Sequence, residues 1–264
     1  MIITENITKN FGSFEALKGI SFDIKQGEIV GFLGQNGAGK TTLMRILTTY
    51  LPPSSGKVLI DGIDISKNSL SVRQKIGYLP ETPPLYINMT VLDYLKFAAD
   101  IKDVNVKRRR FQLQKVLREC QLEEVKNKTI STLSKGYKQR VGIAQAIIHE
   151  PKLLILDEPT SGLDPIQNHQ VRQLIKNQQD QRTVLLSTHI LSEIEQIAHR
   201  VLMIKSGRII VDQPLDSLLK PDNDQSPPLT LEAVFMQHHS LQTSPATPEL
   251  TAEPTSESTG ASHE

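Results

Sequence analysis

One stretch of this sequence has the residue types and the spacing that bind phosphate groups. Residues 34–41 read Gly-Gln-Asn-Gly-Ala-Gly-Lys-Thr, which fits the pattern G-x-x-x-x-G-K-[ST]. Glycines let backbone N–H groups approach phosphate oxygens, because no Cβ stands in the way. We expect Lys40 to place a positive charge at the β- and γ-phosphates of a nucleotide, and the Thr41 hydroxyl to bind Mg²⁺. The predicted nucleotide-binding residues are Gly34, Gln35, Asn36, Gly37, Ala38, Gly39, Lys40, Thr41 and Thr42.

The residues on either side of this loop predict the elements that hold it in place. The apolar run Ile29–Leu33 is typical of a buried strand, and Thr42–Leu47 predicts a helix. A strand–loop–helix unit points the helix N-terminus, with its unpaired N–H groups and positive dipole end, at a bound anion. The loop therefore occurs in the context that its chemistry requires.

Three polar residues follow two other predicted strands and could complete a hydrolytic site. Asp157 and Glu158 follow Leu153–Leu156, and His189 follows Thr183–Leu186. Ligands of open parallel sheets bind outside the carboxyl ends of the strands. We expect Asp157 to bind Mg²⁺, Glu158 to polarise the attacking water and His189 to contact the γ-phosphate. A strand-end Asp or a lone His is commonly structural, so the prediction depends on their combination.

The remaining pattern predicts an α/β protein. Short apolar runs at residues 2–7, 20–24 and 28–33 predict strands, and strands alternate with helices again after residue 151. Such alternation implies a mostly parallel sheet with helices on both faces. Phe11 is expected in the loop after the first strand, where its ring could stack on an adenine base or simply pack against the loop.

Residues 90–150 are predicted to be helical. Thr90 with Asp93 resembles a capping box, and Ser134 is a good N-cap for a helix that ends before Pro151. Another helix carries apolar residues at i, i+3, i+4 and i+7, namely Leu113, Val116, Leu117 and Cys120. Cys120 is the one cysteine of the chain and is expected in the core. An internal disulfide is therefore impossible, which fits a reducing cytosol.

Composition argues against several classes of protein. The formal net charge of +1 does not resemble a nucleic-acid footprint. The one dense basic run, Lys107–Arg110, is expected to be a solvated helix face rather than a specific partner contact. No apolar run is long enough to cross a membrane and no signal peptide precedes the first strand, so we expect a soluble protein that meets a membrane only through a partner. Residues 221–264 contain seven acidic residues and no Lys or Arg, and residues 240–264 are expected to be disordered.

Taken in order, these motifs resemble the ATPase subunit of an ABC transporter over residues 2–235. The matching features are Phe11, the loop Gly34–Thr41, Tyr78–Glu81, Leu133–Tyr137, Leu153–Glu158 with Ser161–Asp164, and His189. The resemblance implies a P-loop NTPase core with a mostly parallel sheet and an N-terminal antiparallel β part. It also implies one nucleotide-binding domain over residues 1–239, with a helical subdomain inserted at about 85–150.

The resemblance further implies cofactors and partners. ATP and Mg²⁺ are the implied cofactors, with Glu81 as an additional metal ligand. Two subunits, either copies of this chain or this chain and a similar ATPase, would pack head to tail. Each ATP would then lie between the phosphate loop of one subunit and the Ser134 and Gly136 of the other. A separately encoded transmembrane permease would hold the pair at the cytoplasmic face of the cell membrane.

Two departures from the usual motifs point to a subgroup of this family. Glu81 stands where family members usually have Gln, and Lys135 and Tyr137 replace the third and fifth residues of the usual Leu-Ser-Gly-Gly-Gln. Both variants resemble ATPases that work with ABC-2 type permeases, many of them exporters, including gliding-motility and multidrug types. Leu231–Phe235 is similar to a C-terminal element of the same group.

Other ABC ATPases fit the sequence less well. A chromosome- or repair-type member would carry long coiled-coil arms between Lys40 and Asp157, where only a compact insert fits. A translation-factor member would carry two phosphate loops, and this chain has one. A regulatory nucleotide-binding module without hydrolysis would be favoured by loss of Glu158 or His189, and both are present. The sequence therefore predicts an ATP-hydrolysing transporter subunit.

Overall fold

A computed structural model describes residues 1–179, 181–220 and 229–240 of the chain. The strands are β1 (Ile2–Phe11), β2 (Phe14–Ile24), β3 (Ile29–Leu33), β4 (Ser55–Ile60), β5 (Ile63–Asp64), β6 (Ile76–Leu79), β7 (Leu153–Asp157), β8 (Thr183–Thr188), β9 (Arg200–Lys205) and β10 (Arg208–Pro214). The helices are α1 (Lys40–Leu47), α2 (Ser69–Lys75), α3 (Val91–Ile101), α4 (Val106–Glu119), α5 (Lys135–Ile147), α6 (Pro165–Lys176), α7 (Leu191–Ile197), α8 (Leu215–Leu218) and α9 (Leu231–Ser240).

The larger sheet of the described chain has the strand order β10–β9–β3–β8–β7–β6. Its neighbouring strands are parallel except for the β9–β10 hairpin, so the expected mostly parallel sheet is confirmed. Leu33 at the end of β3 pairs with Thr188 at the end of β8, and Asp157 at the end of β7 pairs with Ser187. The chain segments that follow these three strands therefore leave the sheet at one edge.

The smaller sheet is antiparallel and has the order β2–β1–β4–β5, which agrees with the implied N-terminal antiparallel part. Its apolar side chains, such as Ile7 and Leu17, share one core with α1 and with alternate residues of the larger sheet, including Phe32. The expectation that Phe11 lies in a loop is wrong. Phe11 is the last residue of β1 and pairs with Phe14, because a turn of only two residues joins β1 to β2.

The predicted helical region consists of α3, α4 and α5. Thr90 caps α3, since its hydroxyl oxygen accepts a hydrogen bond from the N–H of Asp93 at 3.1 Å. Cys120 is fully buried, as expected, and burial raises the pKa of its thiol. Helix α5 approaches β6 so closely that a Cβ at Gly77 would lie 2.2 Å from the Ala146 carbonyl oxygen. The helical region therefore packs directly on the edge of the parallel sheet.

The C-terminal part of the described chain packs against helix α7. Helix α9 packs on α7: Leu231 is buried, and its N–H donates to Glu195 Oε1 at 2.7 Å. The expected disorder covers residues 240–264. Of these, Ser240 is described and is the last residue of α9, and residues 241–264 lie outside the described part of the chain. Of the helices that are described, none combines the length and the apolar character needed to cross a membrane.

Candidate functional site

The phosphate loop connects β3 to α1 and leaves the start of α1 open. Gly39 precedes the helix with φ of 112°, a conformation that side chains with a Cβ rarely adopt. No side chain caps the first turn of α1. The N–H groups of that turn lack intrahelical acceptors and are available to an anion.

The side chain of Lys40 lies at the centre of this loop. It is 6% exposed, and its Nζ donates to the carbonyl oxygens of Gly34 at 2.6 Å and Gln35 at 3.3 Å. Nζ also lies 3.7 Å from Glu158 Oε1. A desolvated ammonium held among oxygen atoms is suited to binding a phosphate oxygen.

Glu158 and His189 form a hydrogen-bonded pair opposite Lys40. Glu158 Oε2 and His189 Nδ1 are 2.8 Å apart. Burial raises the pKa of the Glu158 carboxyl above its ordinary value, although the nearby His189 and Lys40 oppose that shift. A carboxylate with a raised pKa is a stronger base, which suits proton abstraction from water.

The backbone of Glu158 is strained where it leaves β7. Its φ is 50°, in the left-handed region that costs a non-glycine residue about 1–3 kcal/mol. Its N–H nevertheless donates to the Ser187 carbonyl oxygen of β8 at 2.9 Å. The end of β8 thus helps to hold Glu158 in the conformation that directs its carboxylate toward Lys40.

A cavity of about 420 Å³ brings most of the predicted site residues together. The predicted residues that line it are Phe11, Gln35, Asn36, Gly37, Gly39, Lys40, Thr41, Thr42, Glu81, Glu158 and His189. Gly34 and Ala38 belong to the same loop but face the protein; a Cβ at Gly34 would lie 2.6 Å from the Ile204 carbonyl oxygen.

Asp157 lies at the same sheet edge but not in the cavity wall. It is 1% exposed, and the Ser187 hydroxyl donates to its Oδ1 at 2.6 Å. Across residues 1–179, 181–220 and 229–240, no group of three or more His, Cys, Asp or Glu residues is arranged to hold a metal ion. The oxygen donors of Thr41 and Glu81 in the wall nevertheless fit Mg²⁺, which binds hard oxygen ligands and is usually shared with substrate phosphates.

Ser134 and Gly136 do not reach this cavity. Ser134 caps α5, because its Oγ accepts from the Tyr137 N–H at 3.4 Å, and it lines a separate depression together with Asp164. Gly136 is buried against Gln167, whose Oε1 would lie 2.4 Å from a Cβ at that position. One chain therefore does not bring the two predicted halves of the nucleotide site together.

Sequence reasoning missed Phe14 and Ser161, both of which line the cavity. Phe14 is 63% exposed and stands beside Phe11 across the β1–β2 turn. The spacing Phe-x-x-Phe around Gly12 could have revealed it, since a two-residue hairpin turn places the flanking residues side by side. Ser161 begins the Ser161–Asp164 motif, whose sequence does not by itself indicate that the serine lines the cavity.

Comparison with known proteins agrees with this geometry. Residues 17–161 match the ABC transporter family. The bacitracin transport ATP-binding protein BcrA of Bacillus licheniformis is 40% identical over 222 residues, which are 83% of this chain and 72% of that protein. An ATP-binding subunit of an ABC transporter of known structure superposes with a TM-score of 0.81 and 28% identity, over 90% of this chain and 99% of its own.

A second solved structure captures a product state. It is the dimer of the ATP-binding cassette MJ0796 after hydrolysis, bound to ADP and Pi. It has a TM-score of 0.73 and 29% identity, over 81% of this chain and 99% of its own. On the family match and on these identities, this chain belongs to the ABC transporter family, as an ATP-binding subunit that hydrolyses ATP to power transport.

Proposed function

We propose that the chain works as one half of a head-to-tail pair of ATPase subunits. A separately encoded permease would hold the pair at the cytoplasmic face of the cell membrane. The observation that carries this proposal is that Lys40, Glu158 and His189 meet in one cavity, whereas Ser134 lines a separate depression. A second subunit is needed to bring its own Ser134 and Gly136 to the nucleotide.

ATP would bind with its triphosphate on the phosphate loop and its base on the hairpin of β1 and β2. The open first turn of α1 supplies N–H donors, and Lys40 supplies the charge for the β- and γ-phosphates. The exposed rings of Phe11 and Phe14 offer apolar faces on which an adenine can stack. The cavity thus has one polar end and one aromatic end, as a nucleotide does.

Mg²⁺ would be held by the Thr41 hydroxyl and the Glu81 carboxylate in the cavity wall, and the buried Asp157 at the end of β7 would add negative charge at the same sheet edge. When bound, the ion would neutralise phosphate charge. Glu81 adds a negative charge that the usual Gln would not. That charge would strengthen binding of a hard cation but would also add negative charge near the γ-phosphate.

Hydrolysis would proceed by attack of one water on the γ-phosphorus, with the bond to the ADP oxygen breaking. Glu158 would take the proton of that water as general base. With Glu158 ionised as the base, His189 would donate from Nδ1 to Glu158 Oε2, 2.8 Å away, and its exposed ring would also contact the γ-phosphate. The Ser134 of the second subunit would contribute its hydroxyl hydrogen, because its oxygen already accepts the Tyr137 N–H.

Export through an ABC-2 type permease is the transport reaction that we propose. Glu81, Lys135 and Tyr137 support it by their resemblance to that subgroup, and the relative named for bacitracin transport is similar over most of its length. A gene for a six-helix permease beside the gene for this chain would agree with the proposal. Reconstituted with that permease, the chain should hydrolyse ATP faster than alone.

Sedimentation velocity of the Glu158→Gln variant with MgATP is the direct test of the paired site. Without hydrolysis, bound ATP should hold two subunits together, because a ligand that binds between the subunits stabilises the dimer by mass action. The expected result is a dimer with ATP and a monomer with ADP. A monomer at saturating ATP would contradict the head-to-tail proposal for the isolated subunit.

A further inference from the structure

Glu193 is a buried carboxylate with no role in the site described so far. It lies on α7, is 1% exposed, and accepts two hydrogen bonds at Oε2. The hydroxyl of Thr160 donates to this oxygen at 2.7 Å and that of Thr188 at 3.2 Å. Its other oxygen, Oε1, makes no hydrogen bond within the described part of the chain. Burial of a charged group is costly unless hydrogen bonds compensate, so the two hydroxyls matter.

The two threonines belong to the two segments that carry the proposed base and its partner. Thr160 is two residues after Glu158, and Thr188 directly precedes His189. Both threonines are almost fully buried. Glu193 therefore ties together the chain on both sides of the Glu158–His189 pair.

The hydrogen-bond pattern makes a carboxylate suitable at this position. Thr188 Oγ1 already accepts the N–H of Ile190 at 3.0 Å, so its own hydrogen is free to be donated to Glu193. A carboxylate oxygen can accept from both hydroxyls at once, and its charge strengthens both bonds. A glutamine would retain one acceptor oxygen without the charge and would add two donors.

The segment anchored at Thr160 also connects the two halves of the proposed site. Glu158 and Ser161 line the nucleotide cavity, whereas Asp164, at the end of the same segment, lines the depression that contains Ser134. The position of Thr160 therefore affects both surfaces.

We propose that Glu193 is a positioning residue for ATP hydrolysis, which holds the segments 158–164 and 188–189 together so that Glu158 and His189 remain paired. This inference rests on the proposed roles of Glu158 and His189. Glu193 itself does not line the cavity and acts through the two threonines.

The first test compares two substitutions of Thr160. Thr160→Val removes the hydroxyl and keeps the shape, and we expect kcat to fall about tenfold or more, since small displacements of reacting groups are costly. KM for ATP should change by less than about twofold, because the phosphate loop is untouched. Thr160→Ser retains the hydroxyl and should restore kcat. Equal losses in both variants would overturn the proposal.

The second test asks whether Glu193 and Thr160 act through one bond. Glu193→Gln should lower kcat by a similar factor, and the double variant should be little worse than the more impaired single variant. Losses that multiply would show that the residues act separately and would overturn the proposal. Thermal unfolding of each variant identifies folded protein, and if Glu193→Gln fails to fold, Thr188→Val takes its place in the cycle.

A parallel measurement on Glu158→Gln separates this inference from the proposed function. If Glu158→Gln still hydrolyses ATP, the proposed base is wrong and the inference fails with it. If Glu158→Gln is inactive while Thr160→Val and Glu193→Gln hydrolyse ATP as fast as the unaltered protein, only the positioning role is wrong.

Discussion

The first turns of α1 and α5 are both expected to meet phosphate, yet the structure builds them in different ways. Helix α1 begins at Lys40 without a side-chain cap, behind a loop whose carbonyl oxygens hold the lysine. Helix α5 is capped by its own Ser134 and lies at a depression away from the cavity. The N-terminus of α1 therefore lacks a hydrogen-bond partner that a ligand can supply, whereas that of α5 is stabilised by its own chain.

On the head-to-tail proposal, this difference explains how one chain can be stable while its nucleotide site still awaits a second subunit. Unsatisfied helix N–H groups are acceptable at α1, because water or phosphate can reach them in the cavity. Helix α5 is capped within its own chain, so the absence of a second subunit does not remove that hydrogen bond. On that proposal, the N-terminus of α1 would receive ATP first, and the N-terminus of α5 of the second subunit would join later.

The largest expected effect concerns the cavity at the N-terminus of α1, where Glu158 faces Lys40. Glu158→Gln should reduce phosphate release by about 10²–10⁴, because an amide cannot take a proton from water as a carboxylate does. Nucleotide binding, measured by equilibrium titration, should be retained. Lys40→Ala is the matched control and should weaken binding itself. Steady-state phosphate release within about threefold of the unaltered protein would remove Glu158 from its assigned role.

The next largest effect concerns Ser134, the N-cap of α5. Ser134→Arg should abolish ATP-dependent dimerisation and most hydrolysis while leaving ATP binding by the isolated chain near normal, because the arginine would stand at the γ-phosphate of the other subunit. Thr90→Arg removes the equivalent cap of α3 and is the control for cap loss, which costs about 1 kcal/mol. If both variants lost activity equally, the loss would come from the helix cap and not from the subunit contact.

The pH dependence of hydrolysis tests whether Glu158 acts as the base. Burial raises the pKa of Glu158, and a general base must be ionised, so the acid limb of kcat/KM, which reports the free enzyme, should lie at a higher pH than for a free glutamate. The same shift has a consequence for stability. The ionised carboxyl is disfavoured in the folded state, so stability declines as pH rises through the folded pKa.

Thermal unfolding of Glu158→Gln tests whether ionisation of the buried Glu158 carboxyl lowers the stability of the folded protein. The variant should be more stable than the unaltered protein above the folded pKa of Glu158, and this advantage should vanish at pH values below the unfolded pKa, where the carboxyl is neutral in both states. A variant that is less stable at neutral pH would show that the bonds of Glu158 to His189 and Lys40 outweigh its burial.

The smallest expected effect concerns the aromatic end of the cavity. Phe14→Ala and Phe11→Ala should each raise KM for ATP by a few fold, since a stacking contact contributes about 1 kcal/mol. Neither should change kcat. Binding of inorganic tripolyphosphate, which has no base to stack, is the control and should be unaffected. An equal loss of tripolyphosphate binding would mean that the rings support the loop and not the adenine.

The amino-acid sequence by itself determined the features that depend on neighbouring residues. The phosphate loop, the caps Thr90 and Ser134, the buried Cys120 and the strand before Glu158 all follow from short-range patterns. Local backbone geometry and helical periodicity decide such features within one or two turns. The fold class followed as well, because alternating strands and helices have few ways to pack.

Only the tertiary structure decided which of these pieces meet. The Glu158–His189 pair exists because β7 and β8 are neighbours in the sheet. Glu193 is unremarkable in sequence, yet it holds two loops through Thr160 and Thr188. The bonds of Glu158 to His189 and of Thr160 to Glu193 join residues 31 and 33 positions apart in the chain, and no local pattern specifies them. Burial and strand register, which are properties of the whole fold, bring them together.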